Sequence, residues 1–131
     1  MSTNADFIRS LYAAFGRGDV KTILDNLDPA IAWSSNCDET IPWGGTRHGT
    51  AGAASFFQEL GDNLDFESFE PREFFEDAGT VIVLGHTQAR LKRNGQPVDS
   101  DWVHVFKITN GKVAQFREFY DTAAVVRALA A

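Results

Sequence analysis

The chain has 131 residues, of which 44% are hydrophobic and 12% aromatic, so a disordered protein is excluded. Its 18 acidic residues against 12 Lys and Arg give a formal net charge of −6, and an acidic surface repels the phosphates of nucleic acids. The single cysteine, Cys37, excludes an internal disulfide and a cysteine-rich zinc site. This length predicts a single domain over residues 1–131 with a core of its own.

Nothing in the sequence predicts secretion or insertion into a membrane. Residues 1–6 lack the basic and apolar regions of a secretory signal. The longest aliphatic run, Val81–Leu84, is far too short to cross a bilayer. We therefore expect a cytoplasmic protein that has neither a membrane nor a nucleic acid as its partner.

The N-terminal half predicts three helices. Apolar residues recur at helical spacing over 8–15, and Asp19 is placed to cap a second helix whose apolar face ends near residue 27. Thr50 is placed to cap a third helix over 51–60. These helices should precede most of the strands.

The strands are predicted mainly in the C-terminal half. Residues 30–35 are typical of a short strand, and 36–49 look irregular. Four longer strands then follow with short turns between them: 66–75, 80–91, 100–108 and 112–120. A short helix begins at Asp121 or Thr122. Helices first and antiparallel strands after are typical of an α+β fold.

The expected architecture is a cone. A strongly curved, mixed or antiparallel sheet would wrap one long helix, with the other helices mostly N-terminal. The interior of such a cone is apolar. It would leave a cavity for a small apolar or aromatic ligand.

The last hairpin decides which side chains face that cavity. A three-residue loop over 109–111 places Trp102 opposite Glu118, which puts Glu118 diagonally beside His104 on the aromatic, inward face. A two-residue loop would shift the pairing by one residue and place Arg117 on that face instead.

His104 and Glu118 are the candidate catalytic residues. Burial raises the pKa of a carboxyl group while a neighbouring imidazolium lowers it, and such pairs carry acid/base chemistry in enzymes. In that role Glu118 is the base, and His104 is the donor that stabilises an enolate. The alternative is a buried, hydrogen-bonded pair without a catalytic role, or an inert histidine beneath a ligand.

Eight further side chains are candidates to line the cavity, because they are aromatic or imidazole groups on the predicted elements. They are Tyr12, Trp33, Trp43, Phe56, His86, Trp102, Phe116 and Tyr120. Strand alternation does not decide which face His86 occupies. His86, His104 and Glu118 would form a two-histidine, one-carboxylate metal set, but no typical ligand spacing supports it, so we expect neither a metal nor a cofactor.

Four segments resemble the SnoaL-like and ketosteroid isomerase-like proteins of the nuclear-transport-factor-2-like superfamily. They are Leu11–Asp19, Trp43–Gly49, Trp102–Phe106 and Gly111–Asp121. The resemblance extends from Phe7 to Leu129 and implies a cystatin-like α+β cone that dimerises through its sheet. It says less about the reaction, because this fold carries many chemistries.

Compared residue by residue, the chain resembles the cyclases more than the isomerases. The isomerase tyrosine falls on Leu11, the base near Ser35 and the deep aspartic acid on His104, so we do not expect steroid isomerase activity. The SnoaL-like polyketide cyclases have an acid/base aspartate on the last strand, fourteen residues after a cavity histidine. The same spacing from His104 leads to Glu118.

The sequence therefore predicts a small-molecule-binding protein. Its activity would be that of a cofactor-free acid/base enzyme, of polyketide cyclase, isomerase or lyase type, acting on an apolar carbonyl compound. The alternative is a non-catalytic ligand-binding or dimerisation module of the same fold. We also expect a homodimer, because Val103, Val105 and Val113 lie on the predicted outward face of the strands.

Overall fold

The computed structural model describes residues 3–37 and 40–131. This part of the chain contains four helices: α1 (Asn4–Gly16), α2 (Val20–Asp25), α3 (Gly49–Asn63) and α4 (Thr122–Ala130). None of these helices is long and apolar enough to cross a membrane.

Six strands in the same part of the chain form one sheet. They are β1 (Leu27–Ser35), β2 (Gly45–His48), β3 (Leu64–Asp77), β4 (Thr80–Leu91), β5 (Pro97–Thr109) and β6 (Lys112–Tyr120). Their order is β2-β1-β6-β5-β4-β3, and only β1 and β6 run parallel to each other. The long helix α3 packs against β1, β2 and β3. The predicted α+β class, with a mixed sheet curved around a long helix, is confirmed.

The helix caps explain where the helices begin. The Oδ1 atom of Asp19 accepts a hydrogen bond from the α2 backbone at 3.1 Å, and that of Asp121 does the same for α4 at 3.0 Å. The prediction for Thr50 is wrong, because α3 begins at Gly49. Its N-cap is His48, which makes no capping bond through its side chain.

The hairpin between β5 and β6 closes with a two-residue turn, so the prediction of a three-residue loop is wrong. Asn110 and Gly111 have φ angles of 54° and 75°, as a type I′ turn requires. Thr109 pairs with Lys112 across this turn. A β-bulge at Ala114 then shifts the pairing by one residue.

The turn and the bulge cancel each other in their effect on the sheet faces. His104 lies directly opposite Glu118, so the two side chains share the inward face across the strand pair and not along a diagonal. The alternative with Arg117 on that face is therefore wrong. Val113, which was expected on the outward face, precedes the bulge and is fully buried on the inward face.

The parallel pairing of β1 with β6 joins the N-terminal half of the chain to its last strand. Ser35 pairs with Glu118, and Trp33 pairs with Phe116. The four-residue strand β2 adds to the other edge of β1. It was missed in the irregular segment 36–49, because so short a strand carries little periodic pattern.

Candidate functional site

The inward face of the sheet borders a cavity with two lobes. The inner lobe, toward the start of β6, is bordered among others by Tyr12, Trp33, Phe56, Phe106 and Phe116. The outer lobe, toward α4, is bordered among others by Trp43, Val98, Ser100, Trp102 and Tyr120. Four side chains border both lobes: Leu60, Phe69, His104 and Glu118. Nine of the ten predicted site residues therefore border this cavity, and His86 does not.

His104 and Glu118 contact each other in the middle of the cavity. The Nε2 atom of His104 lies 3.3 Å from the Oε2 atom of Glu118, and the two side chains are 8% and 12% exposed. Their direct opposition on β5 and β6 holds them together. Among the described residues that border either lobe, Glu118 is the only acid.

Tyr12, on α1, forms a hydrogen bond with the other ring nitrogen of His104. Its hydroxyl lies 2.7 Å from Nδ1 of His104. Burial raises the pKa of Tyr12 well above its ordinary value, so the phenol keeps its proton and donates it to Nδ1. Burial also lowers the pKa of His104, although Glu118 opposes this change. A neutral His104 then carries its hydrogen on Nε2 and donates to Glu118.

Ser35, at the end of β1, forms a hydrogen bond with the second carboxylate oxygen of Glu118. Its hydroxyl donates to Oε1 at 2.6 Å and lies 3.4 Å from the hydroxyl of Tyr120. The indole of Trp43 donates to the Tyr120 hydroxyl, and burial raises the pKa of Tyr120. Tyr120 therefore stays protonated beside the carboxylate. A chain of hydrogen bonds thus runs from Tyr12 through His104 and Glu118 to Ser35, and the Tyr120 hydroxyl, which accepts from Trp43, lies beside its end.

Trp102 covers one side of the His104 ring. The two rings stack with centroids 3.9 Å apart and an angle of 19° between their planes. The indole donates to Thr87 Oγ1 at 2.8 Å, which fixes its orientation. A Cβ atom at Gly85 would collide with this indole, so the absence of a side chain there makes room for Trp102.

His86 lies on the opposite face of the sheet, which corrects its prediction as a cavity residue. Its Nε2 lies 2.6 Å from Asp99 and its Nδ1 lies 2.8 Å from Asp101, both on the outward face of β5. The strand alternation that turns Val83 and Thr87 inward turns His86 outward. The metal set of His86, His104 and Glu118 is therefore excluded by geometry. Within residues 3–37 and 40–131, no cluster of three or more His, Cys, Asp or Glu is arranged to hold a metal ion.

Ser35 is a site residue that the sequence did not predict. The resemblance to the isomerases places their base near Ser35, and a serine hydroxyl cannot replace a carboxylate in that role. Its function in the structure is to donate to Glu118, which requires β1 to lie parallel to β6. No local pattern in the sequence indicates this pairing, because 83 residues separate the two positions.

Comparison with known proteins identifies the family. The model of the SnoaL-like domain matches residues 8–116, which is most of the chain. The chain belongs to the SnoaL-like family. No curated protein matches the sequence significantly.

Solved structures of SnoaL-like shape match this chain over its whole length. A nuclear-transport-factor-2-like protein of unknown function from Burkholderia pseudomallei is 30% identical, with a TM-score of 0.90 and coverage of 100% of both chains. A similar protein from Burkholderia xenovorans is 32% identical, with a TM-score of 0.86 and 98% of each chain covered. TerC, co-crystallised with polyporic acid, is 27% identical, with a TM-score of 0.85 and coverage of 99% of this chain and 100% of TerC.

The range that matches the SnoaL-like domain contains most residues that border the cavity, but not all residues of the hydrogen-bond chain. Tyr12, Ser35 and His104 lie within residues 8–116, whereas Glu118 and Tyr120 follow that range. The family match therefore supports the fold, and any role for Glu118 must be argued from the geometry described above.

Proposed function

We propose that the protein is a cofactor-free acid/base enzyme that acts on an apolar carbonyl compound, with Glu118 as the base. The observation that carries this proposal is the position of Glu118, a carboxylate held by two hydrogen-bond donors in a cavity of largely apolar side chains. Low polarity around a carboxylate strengthens its interactions with a reacting group.

The geometry changes the role that the sequence suggested for His104. Both of its ring nitrogens are engaged, one with Tyr12 and one with Glu118, so no N–H remains for an enolate oxygen. His104 and Ser35 are therefore positioning residues that hold the carboxylate. The Tyr120 hydroxyl, 3.4 Å from Ser35, is the donor available to the substrate oxygen.

The proposed reaction begins with transfer of a proton from the carbon next to the carbonyl group to Glu118. The C–H electron pair moves into the new C=C bond, and the carbonyl π pair moves onto oxygen. Tyr120 donates a hydrogen bond to this enolate oxygen. Return of the proton from Glu118 to a different atom completes an isomerisation. In a cyclisation the enolate carbon attacks a second carbonyl, the π pair of that carbonyl moves onto its oxygen, and this oxygen takes the proton from Glu118.

The comparisons support the ligand class without fixing it. The chain shares the SnoaL-like fold, and its neighbour TerC was crystallised with polyporic acid. Polyporic acid therefore belongs in the first panel of binding probes, together with simple ketones. Binding can be followed by quenching of tryptophan fluorescence, because Trp33, Trp43 and Trp102 all border the cavity.

The decisive experiment measures proton abstraction without knowledge of the natural substrate. The CH₂ protons of 1,3-diphenylpropan-2-one are exchanged in D₂O, and NMR follows their loss with and without protein. The wild type should accelerate the exchange, and Glu118→Gln should lower that acceleration about 100-fold or more while the ketone still binds. The matched control is Glu67→Gln, which makes the same change at an exposed position and should keep the wild-type rate.

One observation favours a second candidate function, a non-catalytic ligand-binding module. Glu118, His104 and Tyr12 satisfy one another, as purely structural buried groups also do. The same experiment separates the two functions. Saturable binding without any acceleration of exchange by the wild type would contradict the enzyme and support the binding module.

A further inference from the structure

His104 and Glu118 border both lobes, so this pair lies between the two lobes and not at the end of either. On β5, Phe106 borders the inner lobe and Trp102 the outer lobe, each two residues from His104. On β6, Phe116 and Tyr120 flank the pair in the same way. Two residues of a strand extend about 6.6 Å, so cavity continues for roughly the length of a ring on each side of Glu118.

The two lobes offer similar space to a ligand. Each offers about 70 Å³ to the centres of water-sized molecules, where roughly 10–15 Å³ is enough for one water. Each lobe therefore has space for more than a single water molecule. A compound that places its reacting carbon at Glu118 can extend into both.

The polar groups of the inner lobe are already used within the protein. Tyr12 donates to His104, and His104 donates to Glu118. The Nε1 atom of Trp33 has no hydrogen-bond partner among the described residues, but it is itself buried. The inner lobe therefore fits an apolar group that carries no hydrogen-bonding atom.

The outer lobe is similar apart from Tyr120. The Ser100 hydroxyl donates to the Asp101 carbonyl and accepts from the Asp121 N–H. The Thr87 hydroxyl accepts from Trp102. Of the described residues around the outer lobe, the Tyr120 hydroxyl is the one next to Glu118 and is placed to bind an oxygen of the ligand.

We propose that the substrate is a two-sided carbonyl compound, with one apolar group for each lobe and the reacting carbon between them. This inference rests on the proposed function, because it takes Glu118 as the centre of reaction. It excludes aldehydes and methyl ketones as good substrates, since these leave one lobe without an apolar group.

The test compares two ketones that differ only on one side. 1,3-Diphenylpropan-2-one carries a phenyl group on both sides, and 1-phenylpropan-2-one carries it on one side. Titration calorimetry on the wild type should give about 10- to 100-fold tighter binding of the two-sided ketone, because a second ring is buried. Equal affinities would overturn the proposal.

Two lobe-filling variants locate the second ring. Ile23→Phe adds volume in the inner lobe and Val98→Phe adds it in the outer lobe, at side chains that are 5% and 8% exposed. Each should reduce the ratio of the two affinities to about one. Ile82→Phe, on the outward face, is the matched control and should keep the wild-type ratio. Circular dichroism checks the fold, and if a variant does not fold, the wild-type ratio still decides.

The outcomes distinguish this inference from the proposed function. A high ratio that only one of the two variants removes would overturn the two-sided substrate, even if Glu118→Gln abolishes exchange. A high ratio that both variants remove would support two-sided binding, even if Glu118→Gln leaves exchange unchanged and the proposed chemistry fails. Binding of neither ketone would overturn both.

Discussion

Two histidines on neighbouring strands of the sheet have opposite surroundings. His104 on β5 faces inward, is 6% exposed, and contacts a phenol and a buried carboxylate. His86 on β4 faces outward, and both of its nitrogens contact carboxylates, Asp99 and Asp101, whose side chains are 58% and 89% exposed. Both histidines have a full set of partners, so partners alone do not distinguish a site from a surface.

The difference lies in what solvent does to each group. Water screens the contacts of His86, and ion pairs with exposed partners contribute little to stability. The contact of His104 with Glu118 is buried, because the two side chains are only 8% and 12% exposed. In such surroundings each hydrogen bond is stronger and its loss leaves a buried group unsatisfied. His104 is thus in a position to affect the chemistry, whereas His86 is not.

The largest expected effect separates the two histidines by activity. His104→Ala removes the donor to Oε2 of Glu118 and lets the carboxylate move, so the rate of proton exchange should fall about 100-fold. His86→Ala should leave the rate within about twofold of the wild type, because it changes only the outward face. The measurement is the NMR exchange assay with 1,3-diphenylpropan-2-one at saturating concentration.

A positioning role for His104 also predicts partial rescue. The amide of His104→Gln can donate to Glu118 and accept from Tyr12, so this variant should recover part of the rate that alanine loses. Similar effects of His86→Ala and His104→Ala on the rate would contradict the distinction between the two faces. Equal rates for the alanine and glutamine variants of His104 would contradict the positioning role.

The sequence predicted the inward His104 and left His86 undecided, and the reason is physical. A strand pattern gives the two faces of a strand, but the inward face must be recognised by its residues. Around His104 the alternating residues Trp102 and Phe106 are large and aromatic, which identifies the face. Around His86 the alternating residues are Leu84 and Gln88, which identify neither face.

The turn and the parallel strands show the limits of local patterns. The two-residue turn at Asn110 and Gly111 and the bulge at Ala114 each shift the register by one residue from the prediction. Because two such shifts restore the original face, Glu118 lies on the predicted face, whereas the predicted residue pairs are wrong. The contact of Ser35 with Glu118 depends on a parallel pairing between distant strands, and no short-range spacing specifies it.

The next prediction concerns the outward face of the sheet, on which His86 lies. Phe75, Ile82 and Phe119 are 53%, 37% and 40% exposed there, and Ile82 pairs with both Phe75 and Val105. We propose that this apolar surface mediates a homodimer, as the sequence predicted. Light scattering at micromolar concentration should report twice the chain mass of 14.4 kDa.

Phe119→Glu should convert such a dimer to the monomer, because it places a charge in the apolar surface. Gln58→Glu adds the same charge at an exposed position on α3 and should leave the dimer intact. A monomeric wild type, or a dimer that Phe119→Glu does not weaken, would place the function of the outward face elsewhere.

The smallest expected effect is on the free energy of unfolding, and it comes from the protonation of His104. Burial lowers the pKa of His104 below its ordinary value of 6.5, so the unfolded chain binds a proton more readily than the folded chain. The free energy of unfolding should therefore fall as pH decreases below about 6.5, where only the unfolded histidine becomes protonated. Above that pH both states are neutral at this position, and His104 adds no pH dependence.

The measurement is urea unfolding of the wild type and His104→Gln between pH 5 and pH 8, followed by circular dichroism. The wild type should lose stability as pH falls, since it keeps the buried imidazole. His104→Gln cannot be protonated at this position, so its unfolding free energy should decrease less over the same range. Parallel curves for the wild type and His104→Gln would show that the buried imidazole is not held in its neutral form.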